Sequence, residues 1–451
     1  MNAETERLEL GGLRIAYAVF LLTAIGRIGE LIPGLGTVPL AKISMGIGVI
    51  LLIAVWKRLP KLNAVATPFA RTAFALVGLA VITAPFSIWP GMTLLFFTTQ
   101  LPVIAAAVVV CCKISYTWDL LRGIMRLLVA AAVGLALVAI LAFHGGRASV
   151  GNDYDTNDLA YVLVSILPLA LAFTLIAKTK TMMLVNAGIC ILLLAALLLT
   201  SSRGGLFGLV AMLAVLIAKP LKRPQHAKPR NRIILPAIGL VCASMVAWVC
   251  LPVETQERLS SVLQLSSDYN LDTTNRDSRS AIWERGFGAV LQRPVGYGVH
   301  SYEMVDVRMG GKFRAPHNSY LQVLVELGVL GLLFFSRMYL LSWRALQRMR
   351  RCLLALAPSE KHDQMLVFGR MLQVALVGNA VSGFFLSMAY SVTLWVLFAA
   401  VIACISLVAP KSARPPQVRQ AAPADRTFTT SKLQTRNKST RTNRPTKKRE
   451  T

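Results

Sequence analysis

The sequence predicts an all-α polytopic membrane protein of about twelve transmembrane helices with one large loop on the outer face. Three observations carry that expectation. The 451 residues are 55% hydrophobic with a mean hydropathy of +0.58, well above a soluble domain. The apolar residues come in runs near the roughly 20 residues that a bilayer requires. The basic residues fall in alternate connections between those runs.

The spans are expected at 12–32, 38–56, 69–88, 92–112, 123–143, 158–177, 182–200, 204–218, 233–252, 319–341, 366–387 and 390–408. The first carries Arg27 and Glu30, and the eighth is short. With the N-terminus inside, the inner connections hold Lys57, Arg58 and Lys61, then Lys113 and Arg122, then Lys178 and Lys180. They continue with the six-charge run from Lys219 to Arg232, the stretch from Arg344 to Lys361, and the tail. The short outer connections hold only Arg147 and Arg203 as basic residues. The positive-inside rule then places both termini in the cytoplasm. No cleavable signal peptide is expected, because Met1–Arg7 is mixed in charge and no small-residue cleavage site follows.

Two segments stand apart. Residues 253–317 hold eight basic and eight acidic residues with Trp283, Phe287, Tyr297 and Tyr302, a neutral and aromatic composition able to fold on the membrane surface. Within them 279–292 reads as a helix, and Pro294, Gly296 and Gly298 mark a turn. Residues 411–451 carry 12 Lys/Arg against Asp425 and Glu450. That tail is expected to be disordered and drawn to anionic membrane lipids, and residues 1–410 to form the membrane domain.

The net charge of +27 would suggest nucleic acid in a soluble protein. Here the charge flanks apolar spans and no RNA-binding motif accompanies it, so no nucleic-acid partner is expected. Six of the seven cysteines lie in apolar runs and none has CxxC spacing, which points to neither a disulfide framework nor a zinc site.

Polar groups on the outer face are few. Pro316 pushes Ala315 from helical angles, and Ser319 with Gln322 has capping-box spacing, so a helix is expected with Ser319 as its N-cap. His317 then lies two residues before the cap, beside the positive end of the helix dipole, where a neutral ring able to accept a proton is favoured. On position alone it is either that base or an interfacial histidine. Ser201-Ser202-Arg203-Gly204-Gly205 forms a polar turn that leaves the Arg203 fork open to an oxyanion or makes it a snorkelling cap. Arg279-x3-Trp283 puts a guanidinium and an indole on one helix face, either a second oxyanion ligand beside a sugar-stacking ring or a solvated arginine over an anchor. Glu326, about 10 Å along the tenth span from Ser319, needs a partner there, and Gly328 with Gly331 fits close helix packing. Asp153-x-Asp155 could hold Mg²⁺ against a diphosphate, but a solvated polar turn is the preferred reading and no metal is expected. His300 is a competing base, and His144 a weaker one.

Taken together these stretches resemble the bacterial O-antigen ligase and polymerase superfamily. His317-Asn318, nine residues, then Gly328-Val329-Leu330-Gly331 matches its H-N-x9-G-x-x-G pattern. Arg279-x3-Trp283 with Pro294-Val295-Gly296-Tyr297-Gly298 and Tyr302 resembles its periplasmic-loop motif, and Ser202-Arg203-Gly204-Gly205 and Asn157-Asp158-Leu159-Ala160 its shorter ones. The motifs cover about 150–340; the N-terminal spans agree only in topology. The resemblance implies a bacterial inner-membrane glycosyltransferase with its site facing the periplasm. It implies an undecaprenyl-diphosphate-linked glycan as donor, without nucleotide sugar, cofactor or metal. The acceptor is the hydroxyl of lipid A–core, a growing glycan or another molecule. His317 would be the base for that hydroxyl, and Arg203 and Arg279 would stabilise the departing diphosphate. Trp283 and Tyr320 would line the sugar path, with Asn318 and Glu326 in support; parts for His300, Arg147 and the Asp153/Asp155 pair stay open.

Three other readings compete with this one. A polymerase of the same superfamily stays open through the Asn157-Asp158-Leu159-Ala160 motif, whereas a two-loop design with R-x10-G motifs is met only by Arg285-x10-Gly296. A secondary transporter would be expected to show internal repeats and intramembrane charge, both thin here. A non-catalytic partner in polysaccharide export fits poorly with a base and arginines on one face.

Overall fold

The computed structural model describes residues 3–31, 38–60, 67–150, 154–218, 251–260 and 275–408, with Gly239, Met245, Trp248 and Val249. Those residues form α1 (Ala3–Ala24), α2 (Leu40–Val55), α3 (Pro68–Thr83), α4 (Pro90–Ile114), α5 (Trp118–Leu141), α6 (Thr156–Leu175) and α7 (Lys180–Leu199). They continue with α8 (Arg203–Ala218), α9 (Val253–Ser260), α10 (Arg279–Gln292), α11 (Tyr302–Arg308), α12 (Ser319–Ala355), α13 (Glu360–Gly383) and α14 (Val392–Ser406). No strand occurs among the described residues, and one isolated bridge joins Val150 to Tyr154.

Eleven of the twelve expected spans coincide with a helix. Seven helices (α3 to α7, α12 and α13) are long and apolar enough to cross a membrane, and α1, α2, α8 and α14 are shorter apolar helices. The ninth expected span, the basic run 219–232, Asp153 and the tail 411–451 lie outside the described residues, save for a few positions near Trp248.

Local chemistry sets the helix starts. Thr67 accepts from the Ala70 amide ahead of Pro68, Thr117 from Leu120, Thr179 from Met182, Ser359 from His362 and Ser391 from Leu394. Each supplies an acceptor to a first-turn N–H that has no partner within its helix.

Helices α6 and α13 form the centre. Nearly every residue of both is buried, with α7 and α8 packed on α6, and α8, α12 and α14 on α13. Lipid offers no hydrophobic advantage to helix pairing, so close approach by small residues and polar contacts must hold the bundle. Gly205 faces Ala160 with no room for a Cβ, and Gly208 sits against Ser382 and the Gly378 carbonyl. Ser382 Oγ donates to the Gly204 carbonyl at 3.0 Å. Tyr339 OH donates to Asn379 Oδ1 at 2.7 Å, and Asn379 Nδ2 donates to Ser165 Oγ at 2.8 Å.

The loop before α12 carries its own small core. Ile282, Ala289, Tyr297, Tyr302 and Val305 pack against Leu321 and Val325 of α12. Arg285 Nε donates to Asp306 Oδ1 at 2.7 Å in a nearly buried ion pair joining α10 to α11. The other Asp306 oxygen accepts from the Arg314 amide at 3.1 Å, which ties down the approach to Pro316. Arg285 is therefore engaged in this pair.

Helix α12 is broken at Gly328, where φ is +70° and ψ −171°. The carbonyls released there are taken up by the turn 294–298. Tyr297 N donates to Val325 O at 3.0 Å, Gly298 N to Glu326 O at 2.9 Å, and Val329 N to Pro294 O at 3.1 Å. Gly296 faces the backbone of Glu326 and Gly328, and Gly328 that of Pro294 and Val295, with no space for a Cβ at either, and both have positive φ. The turn is held on its other side by Ile88 N donating to Tyr297 O at 3.0 Å and Thr93 Oγ1 to Val299 O at 2.7 Å. Protein groups thus satisfy the Val325 and Glu326 carbonyls and the Val329 amide at the break, as non-helical backbone among membrane helices requires. Gly328 thus breaks the helix rather than serving close helix packing.

Two further expectations are revised. The N-cap of α12 is Asn318, whose Oδ1 accepts from the Tyr320 and Leu321 amides at 2.9 and 3.0 Å. Ser319 is the first helical residue, and its Oγ instead donates to Leu386 O at 2.6 Å and accepts from Met388 N at 2.8 Å. The pull of the turn between α13 and α14 outweighs the capping-box pattern. Beyond the expected end at 341, α12 continues to Ala355.

Asp306→Ala would leave Arg285 buried without its partner, a loss of about 3–5 kcal/mol, whereas Asp277→Ala at the exposed Lys312 pair should leave stability nearly unchanged. Denaturant midpoints of the two purified variants should differ accordingly; equal midpoints would remove the ion pair from the account of loop stability.

Candidate active site

His317 lies one residue before the Asn318 cap, with φ at +46°. A left-handed backbone at a non-glycine residue costs on the order of 1–3 kcal/mol and persists only where surroundings impose it. The following peptides are held by the Asn318 cap. The preceding one is held by Trp283, whose indole N–H donates to the Pro316 carbonyl at 2.7 Å. Among the described residues the His317 ring makes no hydrogen bond. Its pKa is lowered from the ordinary 6.5, first by burial, then by the Arg279 and Arg314 charges, against an opposing pull from Asp155. That direction favours the neutral ring at neutral pH, and its causes are burial and neighbouring charge.

Arginines from four separate segments share this end of the bundle. Arg203 opens α8, Arg258 closes α9, Arg279 opens α10, and Arg147 lies between α5 and α6. Arg147 is pulled down to about 10 by burial, then by Arg258, Arg279 and Arg203, with Asp155 acting the other way. It remains a cation at neutral pH, and the charges of Arg258, Arg279 and Arg203 all act on it. Arg147 Nε donates to Thr200 O at 3.1 Å and its Nη2 to Asn157 Oδ1 at 3.0 Å. The same Asn157 oxygen accepts from Ser202 Oγ at 2.9 Å, and Ser202 Oγ accepts from the Gly205 amide at 3.3 Å. Asn157 thereby joins Arg147 to the turn that presents Arg203. That turn has Ser201 at φ +51°.

The remaining sequence candidates fall around this group. Tyr320 OH donates to Ala380 O at 2.9 Å and borders an apolar groove with Phe207, Val210, Phe384 and Phe385. Glu326 is fully buried; its Oε2 accepts from Tyr390 OH at 2.7 Å. Its partner is a neighbouring segment's hydroxyl and not an arginine. Asp155 caps α6, accepting from the Asn157 and Asp158 amides at 2.6 and 2.8 Å. His300 is turned to Gln100, 3.1 Å from its Oε1, and stacks on Tyr390, while His144 bonds the Ala142 carbonyl at the surface. Sequence reasoning did not single out Arg258, one of eight basic residues in a mixed loop, or Tyr390, which only tertiary packing brings to Glu326.

The fold and this site define an integral membrane protein with a polar end that carries several arginines and a histidine. Residues 188–336 match the family model described as O-antigen ligase, and the match supports a membrane enzyme of the O-antigen ligase and polymerase type. The matched third of the chain runs from within α7 into α12. It contains Arg203, Arg258, Arg279, Trp283, His317, Asn318, Tyr320, Glu326 and the Gly328 break, and leaves out Arg147 and Asn157. No curated protein matches the chain.

Carbethoxylation of His317, which requires the neutral ring, should be half-maximal below pH 6.5 when followed by peptide mapping. Arg279→Gln removes a cation that disfavours imidazolium, so the midpoint should rise. A midpoint unmoved by that substitution would separate Arg279 from the histidine.

Proposed function

We propose that the chain transfers a glycan from a polyprenyl diphosphate to an acceptor hydroxyl at the periplasmic face of the bacterial inner membrane. The observation that supports this reading is the partly buried His317 ring under the charge of Arg279, which with Arg203 and Arg258 also acts on Arg147. A neutral base suits an acceptor hydroxyl, and converging cations suit a leaving group that gains charge.

In the proposed step the His317 ring removes the proton of the acceptor hydroxyl as its oxygen bonds to the anomeric carbon. The carbon–oxygen bond to the diphosphate breaks, and its electron pair leaves with the lipid diphosphate. Arg203 and Arg279, with Arg147 and Arg258 behind them, stabilise that charge where water is partly excluded. A guanidinium meets phosphate oxygens through a planar fork, which Lys cannot reproduce. Asn157 supports the geometry by holding Arg147 and the Ser202 turn together. Lipid A–core is the acceptor that the ligase resemblance favours. The loop charge pattern supports the orientation, with both termini in the cytoplasm.

In reconstituted transfer, His317→Ala should lose about 10²–10⁴-fold, and Arg203→Lys or Arg279→Lys about 10²-fold, with membrane insertion intact. Full transfer by His317→Ala would overturn the base assignment, and unimpaired lysine variants would remove the diphosphate contacts. Glycan profiling of a deletion strain separates the acceptor classes: long unattached lipid-linked polymer marks a ligase, single repeat units a polymerase.

A further inference from the structure

We propose that Trp283 is a positioning residue for His317, so that α10 links the cation facing the leaving group to the base that activates the acceptor. This inference rests on the proposed transfer reaction.

The peptide bond between Pro316 and His317 is where three constraints meet. The indole N–H of Trp283 donates to its carbonyl at 2.7 Å. His317 holds a φ of +46°, a backbone that L side chains rarely adopt. The Asn318 carboxamide then fixes the next turn through the Tyr320 and Leu321 amides. The plane of the Pro316 carbonyl contains the His317 nitrogen, so its rotation is a rotation about the bond that aims the imidazole. The proline ring fixes φ at 316, so the orientation of this peptide is set by ψ at 316 and φ at 317, and the indole N–H holds its carbonyl.

The indole is itself fixed. Its edge meets Phe384 at the end of α13, with ring centroids 5.4 Å apart and planes at 81°. Helix α10 is capped by Ser278, packed through Ile282 and Ala289, and bound to α11 through Arg285 and Asp306. Arg279 lies four residues before Trp283, on the same helix face. A ligand that shifts Arg279 therefore shifts the peptide that aims His317. The charged groups facing the His317 ring are Arg279 of α10, Asp155 ahead of α6, and Arg314 on the approach to Pro316.

The test uses the full chain in proteoliposomes with a polyprenyl-diphosphate-linked glycan and its acceptor. Trp283→Phe keeps the ring but loses the N–H. Its kcat should fall about 10- to 100-fold, the scale of a small misplacement of a reacting group, with donor KM within about twofold. Its pH profile should lose the plateau above the His317 titration and climb with hydroxide, whereas partial misfolding would scale the profile without changing its shape. Benzothienylalanine at position 283, with sulfur in place of the N–H, keeps the indole shape and should show the same kcat loss. Wild-type kcat in either variant, a retained plateau, or a raised donor KM at unchanged kcat would overturn the positioning role. His317→Ala run alongside keeps the two claims apart. If it stays active the transfer reading falls, whereas its inactivity beside a fully active Trp283→Phe defeats only the inference drawn here.

Discussion

The break in α12 at Gly328 is the constraint on which the rest of the site depends. A bilayer leaves no water for unpaired backbone groups, so a helix interrupted there must find partners in protein. The turn 294–298 provides them, and its amides and carbonyl interlock with residues 325–329. Through this contact a mostly polar loop becomes a fixed part of the bundle. The α10 helix that precedes the turn then stands in a set relation to the start of α12, which is what a site drawing Arg279 from one and His317 from the other requires.

Each functional group is held by more than one segment. His317 is set by the α12 cap on one side and by α10 on the other. Arg203 is presented by a turn tied through Ser202 and Asn157 to Arg147, two helices earlier in the chain. The Ser319 hydroxyl bonds the turn between α13 and α14. Such convergence suits chemistry in which a base and several cations must meet two substrates at once, because geometry held from several directions needs little reorganisation as charge develops.

Much of this was legible in the sequence. Apolar runs of bilayer length announced the helical class, and eleven of the expected spans carry helices because their length and polarity leave few alternatives. The 279–292 helix was readable, with the turn residues after it. His317, Arg203 and Arg279 stood out because polar groups on that face are few. Other features were not legible. The capping box at Ser319 misled because the Ser319 hydroxyl is claimed by residues 386 and 388, more than sixty positions later. Gly328 looked like a packing glycine, since nothing near it in the chain shows that the 294–298 turn will dock there.

What the sequence alone determined is therefore the set of elements and the chemical types gathered on one face: membrane helices, a folded loop, a histidine ahead of a helix and sparse arginines. Those follow from local polarity and spacing, which act over one or two turns. Tertiary structure alone decided which arginines stand together, that Asn157 joins Arg147 to the Arg203 turn, that Tyr390 answers Glu326, and that Trp283 gives its N–H to the peptide before His317. Each is a contact between groups distant in the chain, fixed by the need of buried polar atoms for partners, and no local pattern encodes which partner that will be.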